Sequence, residues 1–117
     1  MKPIVLAGLL AACVLPTAAA AQPVALGLTR LQLEDADLVD AKGREIGEVE
    51  RVLVDAKGAV TGLIVEIDRP DPTPDHIARI PLTSLAAIPD PDEPGDFDIQ
   101  TQLTIDDLLA LPATSVR

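Results

Sequence analysis

The sequence predicts a mainly β fold: a small, curled sheet of five to six antiparallel strands with one short C-terminal α-helix. Three observations carry this. The pentapeptide V-D-A-K-G occurs at Val39–Gly43 and again at Val54–Gly58, each time between runs rich in β-branched residues. Val60–Asp68 places Thr61, Leu63, Val65 and Ile67 on one side of an extended chain, the alternation of a strand with one buried face. Thr104 precedes Ile105, Leu108 and Leu109, an N-cap ahead of a short apolar stripe.

Met1–Lys2, the apolar run Ile4–Leu15 and the small residues Ala19 and Ala21 read as a secretory signal peptide over 1–21, cleaved before Gln22. The alternatives are an uncleaved anchor, or lipid attachment at Cys13 in the lipobox-like Leu10-Ala11-Ala12-Cys13. Ordinary cleavage removes Cys13, the sole cysteine, and with it any disulfide framework or thiol chemistry. The expected setting is the periplasm or the extracellular space, with no membrane insertion after cleavage.

Residues 22–30 are expected as a flexible lead to a domain over 31–112, with 113–117 as a tail. Leu31 and Leu33 alternate with polar neighbours, and a first strand is expected at Asp37–Ala41. Asp40 and Asp55 each open a turn through a side-chain bond to the backbone ahead, and Gly43 and Gly58 supply its left-handed position. The second strand, Ile46–Asp55, has mixed parity that calls for a bulge or for cover on both faces. Gly47 within it suggests a bend or a close backbone approach. Three prolines in Arg69–Asp75 make a loop, and His76–Leu82 returns as a strand that Pro81 marks as an edge or an end. Ser84–Ile88 is expected as one helical turn. Pro89–Gly95 is a second acidic, proline-rich loop, Asp96–Thr101 is a fifth strand with Phe97 and Ile99 inward, and the capped helix ends before Pro112.

The combined pattern Leu38–Asp55, Gly58–Glu66 and Ile80-Pro81-Leu82 resembles a PRC-barrel domain: strand, D-x-x-G turn, I-G-x-V, a strand ending in V-D, a glycine turn, an apolar strand and I-P-L. The resemblance covers about residues 31–88. It implies a small closed β-barrel that serves as an adaptor on a larger protein assembly, and it brings no catalytic motif.

The full chain carries a net charge of −10; without Lys2, eight basic residues face nineteen acidic ones. Such a surface repels nucleic acid, and a single aromatic residue, Phe97, gives bases no stacking platform. Ser84 and Ser115 could form a triad only with the one histidine, His76, and neither sits in a nucleophile elbow, so no catalytic residue and no cofactor site is assigned. The expected function is therefore a non-catalytic protein-interaction module in the cell envelope, with homo-oligomerisation left open. The alternative is a calcium-responsive domain using the acidic loops 68–75 and 90–98. Asp90, Asp92, Asp96 and Asp98 are its candidate ligands, although their spacing is not that of an EF-hand. Glu48, Glu50, Arg51 and Glu66 decorate the strand surfaces as a solvated exterior or a partner-facing patch.

Overall fold

Both V-D-A-K-G copies fold as the same turn in the computed structural model, which describes residues 22–115. The expected signal peptide, with Cys13, lies outside the described residues. Asp40 Oδ1 accepts the backbone N–H groups of Lys42 and Arg44, both at 2.9 Å. Asp55 Oδ1 accepts those of Lys57 and Ala59 at 2.8 and 3.0 Å. Gly43 and Gly58 sit at φ +83°, a conformation that a β-carbon disfavours.

These turns join β1 (Asp37–Val39), β2 (Glu45–Val54) and β3 (Val60–Ile67) as an antiparallel meander. A register shift between Val49 and Arg51 makes Glu50 the extra residue of a bulge, which returns both Val49 and Val52 to the core. At Gly47 a β-carbon would run into the Glu66 carbonyl oxygen across the ladder, so the close approach of β2 and β3 there requires glycine.

The chain then departs from the expected antiparallel barrel. After β4 (His76–Pro81), a 3₁₀ turn at Leu82–Ser84 leads straight into β5 (Leu85–Pro89) without reversing direction, and β6 (Phe97–Thr101) returns antiparallel to β5. The segment expected as a helical turn is thus mostly strand: its ladder with β6 overrides the helical preference of Ala86 and Ala87. Because one reversal is missing, β6 meets β1 in parallel, with Leu38 opposite Ile99 and Val39 opposite Gln100. The sheet order is β4-β3-β2-β1-β6-β5.

The sheet is open, which corrects both the closed barrel and the PRC-barrel resemblance. Six flat strands would set β4 and β5 about 24 Å apart, while the link from Pro81 to Leu85 reaches at most about 14 Å. The sheet therefore coils strongly. The sheet nevertheless stays open: β4 and β5 do not pair, and the outer edge of β4 is met by the chain after the C-terminal helix. Ala113 bridges Ala78, and Thr114 N–H donates to the Ile77 carbonyl at 2.9 Å.

Two short helices complete the described fold. Helix α1 (Arg30–Glu34) replaces the extended reading of Leu31 and Leu33. Thr29 and Gln32 form a capping box, Leu33 is buried, and Leu31 faces solvent. Before it, Ala25 bridges Leu28, and Leu28 enters the core. Helix α2 (Ile105–Leu109) has a capping box between Thr104 and Asp107 and buries Leu108, while Ile105 stays largely exposed. The core itself gathers Leu33, Leu38, Leu63, Val65, Ile80 and Ile99 on the concave side.

Candidate metal centre

Leu38 and Ile99 are paired neighbours on β1 and β6, and both are fully buried in the core. Side chains alternate along a strand, so the preceding residues, Asp37 and Asp98, point together to the other face. Asp90, directly after β5, joins them from the β5–β6 loop. That loop is closed by the Asp90 N–H on the Asp96 carbonyl at 3.0 Å and braced by the Asp92 N–H on Asp90 Oδ1 at 2.9 Å.

One carboxylate oxygen from each of Asp37, Asp90 and Asp98 lies within 4.8 Å of the other two. The centre of such a triangle is at most about 2.8 Å from each corner, close to the calcium–oxygen range and long for magnesium. The three line a cavity of about 180 Å³ with Val39, Gly43, Glu45, Pro91 and Asp92.

Asp98 is the unusual member. It is only 7% exposed, yet no hydrogen-bond donor among the described residues reaches its side chain. Its oxygens keep contact with the cavity. Burial, then the charges of Asp90, Asp37, Glu45 and Asp92, hold its carboxyl above the usual carboxylate range. Asp37 is raised by burial first and by Asp90 and Asp68 next. Glu45 is raised chiefly by Asp37. A cluster in which Asp98 has no donor and Asp90 has only the Asp92 N–H suits a hard cation that supplies further partners.

A second acidic group lies across β2, β3 and the loop after β3. Oxygens of Glu48, Glu50 and Glu66, and of Glu66, Asp68 and Asp75, come equally close together. Here the carboxyls satisfy one another. Hydrogen bonds to Glu50 and then Asp75 push Glu66 up to about 8, and the bond from Glu66 holds Asp75 low. This group is more open to solvent: Glu48, Glu50, Asp68 and Asp75 are exposed and Glu66 is half-buried.

Of the ligands expected from the sequence, Asp90 and Asp98 are brought together, Asp92 stands at the cavity rim, and Asp96 lines a different hollow beside Leu31, Gln32, Asp35 and Phe97. Asp37 was not among them, since nothing local marks it; only the parallel β1–β6 pairing places it there. His76 Nε2 donates to the Leu111 carbonyl at 2.9 Å, and Ser84 Oγ donates to that of Pro81 at 3.0 Å, so both hydrogen-bond to backbone. No protein-family model matches the chain, and no curated protein matches it.

Proposed function

We propose that the protein is a non-catalytic, cation-responsive domain that takes a hard divalent ion, calcium best, at Asp37, Asp90 and Asp98. The observation that supports it most is Asp98: buried, without a donor, and facing two further carboxylates across a small cavity. Export, as the first 21 residues suggest, sets the domain where calcium is plentiful. Three carboxylates completed by water make a site of modest charge, suited to a Kd of about 0.1–1 mM, as in extracellular modules.

Thermal unfolding of the full chain tests this. Calcium at ten times Kd stabilises by about 1.4 kcal/mol, which raises Tm by roughly 6–11 °C for a domain of this size. Equal curves in chelator and in millimolar calcium contradict the reading, as does the same shift in sodium chloride of matched ionic strength.

A second reading, an adaptor for a basic protein surface, draws on the acidic groups that run from β3 to β6 and on the outer edge of β5, which has no strand partner among the described residues. Capture of an envelope protein that weakens with added salt supports it. Capture of nothing above background at low salt opposes it.

A further inference from the structure

The sheet is two antiparallel blocks, β4-β3-β2-β1 and β6-β5, meeting at one parallel seam. The ladder there pairs Leu38 with Ile99 and Val39 with Gln100, whereas β2 and β3 pair along nearly their whole lengths. One end of the seam is tied: Gln100 Nε2 donates to the carbonyls of Asp40 and Ala41 at 3.2 and 3.3 Å. The other end holds Asp37 on β1, Asp98 on β6 and Asp90 beside them, with no donor on Asp98. Each block supplies at least one carboxylate, so an ion that binds all three must bridge the blocks.

We propose that a divalent cation held by Asp37, Asp90 and Asp98 is a clasp across the β1–β6 seam, and that its occupancy sets how often the seam opens. This rests on the cation reading above and adds to it a regulatory consequence. With the ion bound, both ends of the seam are tied and the outer face across β1 and β6 is one rigid surface. Without it, like charges face each other at an end that has only a two-pair ladder behind it. The far sides of the blocks stay linked through Leu82–Ser84, so opening is a local loosening at the seam rather than separation of the blocks.

Native-state hydrogen exchange of the full chain, in chelator and in calcium at ten times the Kd measured by calorimetry on the same sample, tests the proposal. Opening that breaks the site becomes about tenfold rarer when the ion is bound. Amides of Asp37–Val39 and Phe97–Thr101 should therefore slow about tenfold, beyond any change in β3 and β4. The extra protection should vanish in Asp98→Asn and, as an independent variant outside the strands, in Asp90→Asn. Saturable calcium binding with no excess protection at the seam overturns the clasp and leaves the site standing. Absence of calcium binding overturns both.

Discussion

Two sets of aspartates in this chain do opposite things with the same side chain. At the twin turns, Asp40 and Asp55 each accept two backbone N–H groups, and Asp40 also takes the Arg44 Nε–H at 2.9 Å. The Arg44 backbone N–H, foremost among these donors, holds the Asp40 carboxyl below its ordinary value. At the seam, Asp37 and Asp98 gain burial and like-charged neighbours, which raise them. A carboxylate with its donors supplied is part of the fold; one set in a cavity wall without them leaves its oxygens open to water or a cation. The difference lies in what the backbone offers. A turn aims N–H groups at its first residue, while mid-strand amides are spent on the ladder and leave an outward carboxylate nothing.

Removing each set in turn separates the two roles. The largest effect is expected from Asp98→Asn, which lowers calcium affinity at least tenfold, about 1.4 kcal/mol or more, yet does not lower Tm in chelator. A fall in Tm without calcium would instead give Asp98 a structural role like that of Asp55. Next comes Asp55→Ala, which strips two N–H groups of their acceptor and costs about 1 kcal/mol in urea unfolding, with calcium affinity unchanged. Gly58→Ala follows, also about 1 kcal/mol, from forcing a β-carbon into the left-handed region.

The smallest effect is a pH slope at the second acidic group. Glu66 titrates near 8 when folded, against an ordinary value of 4.5, so between those limits the folded chain holds a proton that the unfolded chain has released. Stability contributed by this proton is full below the lower value and declines as pH rises through the upper one. Asp40 has the reverse sign: its contribution is present above the ordinary carboxylate value and is lost as pH falls through its depressed one. Urea midpoints from pH 5 to 8.5 should flatten in Glu66→Gln. An unchanged slope assigns the effect to other groups.

The parts of this fold written in neighbouring residues are legible in the sequence, and the parts written in topology are not. The twin turns, the strands at 45–54 and 60–67, the bulge hinted at by mixed parity and the Thr104 cap all rest on contacts within a few residues. The Thr29–Gln32 capping box is equally local, and its T-x-x-Q spacing was the available sign of helix α1. The run from β4 into β5 is different. No residue at 82–84 announces that the strand continues without reversing, and that one missing reversal turns an antiparallel meander into a sheet with a parallel seam. The candidate site inherits the same limit. Asp90 and Asp98 share an acidic loop and its strand, which the sequence shows, but Asp37 lies more than fifty residues upstream and meets them only through the seam.

The carboxylates of Asp37, Asp90 and Asp98 at the seam, of which Asp98 is buried and without a donor, are proposed to take a divalent cation. Calorimetric titration of calcium into the chelator-stripped full chain, beside Asp98→Asn and Asp55→Ala, tests it most directly. One saturable site with a Kd of about 0.1–1 mM is expected, lost in Asp98→Asn and kept in Asp55→Ala. No saturable heat at millimolar calcium, or equal binding by all three proteins, contradicts it.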